Sequence, residues 1–233
     1  MPFYKDYLYP YLVEALGDPP PIRKIRQEII AQAQGIVLEI GAGSGANFVH
    51  YDPAKVSKLY ALEPNPGMIR RAERQRRKTK LEIEFLDLPG ERIPLEDQTI
   101  DCVVSTFTLC TIPGIEAALQ GIARVLKPGG TLIFFELGLS PDPDVQRWQT
   151  RLEPVFQRMF QGLYLTRDIP GQISEAGFQI EQIQAGYIAS FPNSSSYCWW
   201  GAALRESGNV TPSLTEVIAT QPTGTSVRPP SNQ

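Results

Sequence analysis

From residue 36 onward, short runs of apolar residues alternate with stretches whose apolar positions recur every three or four residues. The runs are IVLEI (36–40), KLYAL (58–62), LEIEFL (81–86), DCVVST (101–106) and TLIFFE (131–136). They are rich in β-branched and aromatic residues and mostly apolar on both faces, as parallel strands covered on both sides must be. Helices are expected at 66–78, with Pro66 in the first turn, and at 114–126, ending before Lys127-Pro128-Gly129-Gly130. A longer helix is expected at 144–162, with Trp148, Leu152, Val155, Phe156 and Phe160 apolar, and a shorter one at 167–176, stopped by Gly177. Two more strands follow near 178–184 and 195–202. Strands alternating with helices imply an α/β fold, a doubly wound and mostly parallel sheet with helices on both faces.

The first 34 residues break this rhythm. Tyr4, Tyr7, Tyr11 and Ala15 recur near helical spacing, with Pro10 expected to kink that helix. Asp18 and Pro19–Pro21 form a stiff break, and 22–34 reads as a second helix with Ile22, Ile25, Ile29 and Ile30 apolar. The expected division is a helical lead-in or lid at 1–34, a main domain at 35–206, and a disordered tail at 207–233. That tail is rich in Thr, Pro, Ser and Gly, with little to bury. The start of the chain lacks the continuous apolar run of a signal peptide or spanning helix. No transmembrane anchor is expected, and peripheral membrane contact stays open.

Composition adds exclusions. A formal net charge of -3 gives no reason to expect nucleic acid as a partner. The basic run 70–80, RRAERQRRKTK, reads as a solvated helix face because no aromatic residue interleaves with the charges. Cys102, Cys110 and Cys198 form no close-spaced pair and read as reduced thiols of a cytoplasmic protein. A single histidine, His50, argues against a histidine metal centre or a Ser-His-Asp triad. It reads as a surface or supporting residue.

The strongest chemical signal follows the first strand, in Glu39-Ile40-Gly41-Ala42-Gly43-Ser44-Gly45-Ala46-Asn47. Glycines there permit a tight turn and close backbone approach to a ligand. Gly41, Gly43 and Ala46 also satisfy a dinucleotide fingerprint, so the glycines alone leave the cofactor open. Glu39 would repel a pyrophosphate but not a ligand carrying an ammonium group. Glu63, 18 residues beyond Gly45 at the end of the second strand, can accept both hydroxyls of a ribose.

VLEIGAGSGANF, ALEPNPGM and ARVLKPGGTLIFFE, in this order and spacing, resemble the successive signatures of class I S-adenosylmethionine methyltransferases. The resemblance covers roughly 36–137. It implies a Rossmann-like sheet of seven strands and S-adenosyl-L-methionine as cofactor. By this likeness Glu39, Gly41, Ala42, Gly43 and Gly45 lie near the methionyl part of the donor. Glu63, with Pro64 beside it, binds the ribose, and Met68 packs near the adenine. Leu88, Gly90 and Glu91 fall in the loop at the adenine edge; Pro89 stands where the family often has a polar side chain, which shifts expectation to the Gly90 backbone. Ser105 and Thr106 end the fourth strand beside the methionyl group. GANF, STFTLCTI, LKPGGTLIFFE, the 148–160 helix and LTRD (165–168) further resemble the thiol S-methyltransferases. The vertebrate members carry an N-terminal hydrophobic anchor; none is expected here, so membrane attachment is not part of what the resemblance implies.

The expected reaction is methyl transfer to a small molecule, a thiol first, with a quinone carbon or a phospholipid amine as alternatives. The competing classes are an NAD-dependent oxidoreductase and a non-catalytic cofactor-binding module. A thiol needs little help to ionise, so no dedicated strong base is required. Doubly wound sheets place ligands at the carboxyl ends of their strands. The acceptor-site candidates are therefore Glu136 and Thr106, as catalytic residues, with Phe107 and Cys110. Tyr4 and Tyr7 are candidate lid residues, and Arg167 and Tyr197 are weaker candidates. Each has a plainer reading: Glu136 as a solvated or capping acid, Cys110 and Cys102 as inert core thiols, Trp199 and Trp200 as packing.

Overall fold

The computed structural model describes residues 18–160 and 162–206. Seven strands form one sheet in the order β3-β2-β1-β4-β5-β7-β6. They are β1 (Gly35–Ile40), β2 (Val56–Leu62), β3 (Ile83–Leu86), β4 (Ile100–Thr106), β5 (Leu126–Leu137), β6 (Phe178–Tyr187) and β7 (Tyr197–Arg205). Strands β1 to β5 pair in parallel, and β7 runs antiparallel to both β5 and β6. The helices are α1 (Pro20–Ile30), α2 (Pro66–Arg76), α3 (Ile115–Val125), α4 (Pro143–Met159) and α5 (Ile169–Glu175). The expected fold class and seven strands are present. The lid tyrosines Tyr4 and Tyr7 and the expected tail lie outside the described residues.

Side-chain alternation along the strands divides the interior in two. Leu38, Ile40, Val103, Leu132 and Phe134 meet Ile115, Leu119 and Ile122 of α3 and Ile169 and Ile173 of α5. Val37, Cys102, Val104, Ile133 and Phe135 point the other way, with Leu59 and Ala61, and meet Ile22, Ile29 and Ile30 of α1 and Ala72 of α2. Successive strand residues face opposite sides, so both faces of the sheet are apolar. Trp199 packs in the first core and Trp200 in the second. A third cluster joins Leu152, Phe156 and Phe160 to Cys110, Leu163 and Leu165.

Several boundaries differ from expectation for local reasons. The helix expected at 22–34 ends at Ile30, because the chain must turn into Gly35, whose φ is +72°. β5 begins at Leu126, five residues before the expected strand, and takes up Lys127–Gly130 with a register shift opposite Ile100/Cys102. Gly129 at φ +73° lets the strand bend there. α4 ends at Met159 rather than 162, one turn after Pro154 inside it.

The sheet runs outward in two directions from β1: to β2 and β3 on one side, to β4 and β5 on the other. The loops after β1 and β4 therefore leave in opposite directions and open a crevice at the carboxyl ends of these strands. Ile122 of α3 is fully buried in the first core, where that helix packs on the sheet. Ile122→Ala is expected to lower the unfolding free energy by about 2–5 kcal/mol, seen as a lower urea midpoint with an unchanged slope.

Candidate functional site

The glycine turn after β1 is held from both sides. Gly41, Gly43 and Gly45 have φ of +64°, +55° and +79°. A Cβ on Gly45 would stand 2.8 Å from the Phe48 ring, so that position serves packing. A Cβ on Gly43 would meet only the Gly41 carbonyl oxygen, at 3.8 Å. Gly43 thus faces open space, with its N–H turned to Glu63. The Ala42 N–H donates to the Leu62 carbonyl and fixes the turn against the end of β2.

Glu63 is buried at that end. One carboxylate oxygen accepts from Gly43 N and the other from Asn65 N, each at 2.9 Å. Each oxygen keeps a lone pair for a further donor. Burial raises the Glu63 pKa, against the pull of these two backbone N–H groups. Pro64 is exposed beside it. Asn65 caps α2 by accepting from Gly67 N and Met68 N, which places Met68, buried, in the first turn. The adenine-edge loop comes close: Gly90 is buried, and a Cβ there would lie 2.6 Å from Ile112 and 3.0 Å from Ile40. Leu88 and Glu91 are half-buried around it.

Glu39 takes part in a buried polar network on the α1 side of the sheet. Its carboxylate accepts from Asn47 Nδ2 at 2.9 Å and from Tyr51 Oη at 2.8 Å. Burial raises its pKa to about 7. Asn47 Nδ2 also donates to Thr106 Oγ1, and Arg26 Nη1 donates to both Asn47 Oδ1 and Thr106 Oγ1. Thr106 is therefore nearly buried and engaged with protein groups. Sequence reasoning missed Arg26, Asn47 and Tyr51 as members of this network. One signal was available: Arg26 lies four residues after Ile22 and three before Ile29, on the apolar stripe of α1.

Glu136 sits on the opposite face of the sheet. It is 0% exposed. It accepts from Ser105 Oγ at 2.7 Å and from the backbone N–H groups of Thr108 and Cys110, each at 3.1 Å. Glu136, expected at the acceptor, has both oxygens engaged by these groups, and they hold the loop after β4. Ser105 is likewise fully buried, its hydroxyl turned to Glu136 rather than to the crevice. Burial also pushes the Cys110 thiol well up, beside Glu136, so it stays protonated.

The same loop carries a backbone outlier. Phe107 has φ +53°, a conformation that is unusual away from glycine. Its ring tilts against Phe135 at 4.5 Å, and the Arg26 guanidinium lies 5.4 Å from its centroid. Arg167 donates to the carbonyls of Leu109 and Pro113 and lies over the Tyr164 ring, so it braces this loop from below. Tyr197 packs between Tyr187 and Trp199 at the start of β7. His50 is half-buried, its pKa lowered chiefly by burial. Among the described residues no cluster of His, Cys, Asp or Glu is arranged to hold a metal, and no helix is long and apolar enough to cross a membrane.

The residues fit an adenosyl donor. An open-faced glycine adjoins a carboxylate with spare lone pairs, and a buried acid lies at the end of the neighbouring strand. Comparison with known proteins points the same way. Residues 38–134 match the model of a methyltransferase domain. Thiol S-methyltransferase TMT1B of Homo sapiens is 32% identical over 199 residues, spanning 78% of this chain and 80% of that protein. The ubiquinone/menaquinone biosynthesis C-methyltransferase UbiE of Bartonella tribocorum is 32% identical over 104 residues, spanning 43% of this chain and 40% of that protein. A SAM-dependent methyltransferase of Aquifex aeolicus shares the fold, with a TM-score of 0.60 at 20% identity over 84% of this chain and 98% of that one. The chain belongs to the class I S-adenosylmethionine-dependent methyltransferases, among the relatives of the thiol S-methyltransferases.

Proposed function

We propose that this methyltransferase transfers a methyl group from S-adenosylmethionine to the sulfur of a small thiol. The observation that carries the acceptor is the extent of likeness. Similarity to thiol S-methyltransferases spans 78% of the chain, well beyond the matched domain, whereas similarity to the quinone enzyme spans 43%.

When bound, S-adenosylmethionine supplies a methyl group already activated on a positive sulfur. The protein's share is to orient two reactants and exclude water. In this reading Glu63 accepts from the ribose hydroxyls through its free lone pairs. The Gly43 face lets the donor approach the backbone, and Met68 with the Gly90 backbone borders the adenine. Glu39 favours the positive amino-acid end. The Phe107 ring, fixed on Phe135, forms an apolar wall at the end of β4. Glu136 is a positioning residue, because its carboxylate is spent on Ser105, Thr108 and Cys110. A thiol, with an ordinary pKa of about 8.5, ionises without a strong base, which suits a site whose acids are engaged elsewhere.

Radiolabelled donor offered with a panel of thiols, amines, phenols and quinones should label thiols alone; label in the quinone or amine fraction would overturn the acceptor. Glu63→Ala should weaken binding of S-adenosylhomocysteine by about tenfold or more, since it removes charge-assisted hydrogen bonds. Calorimetry showing unchanged affinity would remove the ribose role. A pH effect follows from Glu39, whose pKa is raised to about 7 by burial. A raised carboxylate favours the folded state while protonated, so its contribution is complete below the ordinary value of 4.5. It is lost as pH rises through about 7. Wild-type stability should therefore fall relative to Glu39→Gln between these limits, by about 3 kcal/mol. Parallel urea titrations at pH 4.5 and 7.5 would measure the difference.

A further inference from the structure

Arg26 is a buried cation in the donor crevice that methyl transfer as described does not use. It belongs to α1, outside the matched methyltransferase domain, yet its side chain reaches the carboxyl ends of β1 and β4. The residue is 7% exposed. Nη1 donates to Asn47 Oδ1 at 2.7 Å and to Thr106 Oγ1 at 2.9 Å, both neutral acceptors. Nε is buried without a hydrogen-bond partner. The carboxylate that comes near it, Asp18, stands 3.8 Å away with that oxygen also unbonded. Glu39 does not pair with Arg26 directly, because Asn47 bridges between them.

A guanidinium stays charged under physiological conditions even where burial lowers its pKa, as it does here. Its ion-pair contact to Asp18 is 3.8 Å long, beyond hydrogen-bond reach, and burying a charge so loosely paired is costly unless a further anion completes the shell. The fork of donors suits a carboxylate. The direction in which the donor lies narrows which carboxylate. Strand order is β2-β1-β4. Glu63, at the end of β2, takes the sugar in the reading above, and that places the amino-acid end of the donor toward β1 and β4, where Arg26 lies. The one anionic group of S-adenosylmethionine is the carboxylate at that end.

We propose that Arg26 binds the amino-acid carboxylate of the donor, so that α1 forms one wall of the donor site. The inference rests on the donor reading and assigns it a further residue. Beside it, Glu39 serves the ammonium group of the same amino-acid end, and the two opposite charges are kept apart by Asn47. Binding of the donor then fastens α1 onto the crevice.

Calorimetry on the full-length protein tests this with two ligands, S-adenosylhomocysteine and its decarboxylated counterpart, in which hydrogen replaces the carboxyl group. Wild type is expected to bind the decarboxylated compound about tenfold more weakly or worse. Arg26→Gln should bind both alike, losing affinity for S-adenosylhomocysteine alone. Arg26→Lys, which keeps the charge but not the fork, should restore part of the gap. Equal affinity of wild type for the two ligands overturns the proposal, and this comparison needs no variant to fold. Equal weakening of both ligands by Arg26→Gln also overturns it, since that is the signature of a merely structural arginine. Failure of wild type to bind either compound would instead bring down the donor reading itself.

Discussion

A parallel sheet satisfies its backbone within the ladder, but the loops that leave its carboxyl edge carry N–H groups with no strand to bond. The organisation of this molecule depends on how those groups are satisfied where strand order diverges from β1. Two carboxylates do it. Glu63 takes Gly43 N and Asn65 N, joining the turn after β1 to the start of α2. Glu136 takes Thr108 N and Cys110 N, fixing the loop after β4. Unpaired buried N–H groups would cost about 1–3 kcal/mol each. The acids also cost something, since burial raises both their pKa values. Backbone N–H groups pull in the opposite direction and keep the carboxylates usable as acceptors.

The two faces of the sheet assign these acids different surroundings. Along β5, Phe134 and Glu136 point toward α3, while Phe135 points toward α1. Along β1, Glu39 shares the face of Val37, toward α1, and so meets Asn47, Tyr51 and, through Asn47, Arg26. Alternation thus separates a loop-bracing acid on one side from a polar network on the other, using strands that pair through β4. Thr106 and Ser105, adjacent in sequence, are drawn to opposite sides for the same reason: Thr106 to Arg26, Ser105 to Glu136. A substitution at one would be felt through a different helix than a substitution at its neighbour.

Strand and helix alternation, the glycine turn and Glu63 were legible in the sequence because each is local: a run of apolar residues, a motif, a carboxylate at a strand end. The family itself was legible through motif order. The roles of Glu136 and Ser105 were not, because which face a strand-end residue takes depends on register between β4 and β5, where Ser105 pairs with Phe134 and Thr106 with Phe135. Arg26 was hidden for a related reason. Its partners Asn47 and Thr106 lie 21 and 80 residues away. Only the packing of α1 on the sheet brings the three together. The start of β5 was misjudged because Pro128-Gly129-Gly130 reads as a turn, whereas Gly129 bends a strand that continues.

The enclosure of Glu136 bears on the chemistry. An acceptor of high pKa, such as an amine held as ammonium or a carbon acid, needs a group that takes its proton at the reacting end of β4 or β5. Among the described residues there, Glu136 is enclosed, Cys110 is held protonated by burial, and Thr106 is engaged by Arg26 and Asn47. What this edge offers is an apolar ring, Phe107, set in a left-handed conformation by the loop that Glu136 braces. Strain of that kind persists where surrounding structure over-determines it, and it fixes the ring's position against Phe135. A wall of that character favours an acceptor that is apolar and ionises by itself near neutral pH, and among the common methyl acceptors that description suits a thiol.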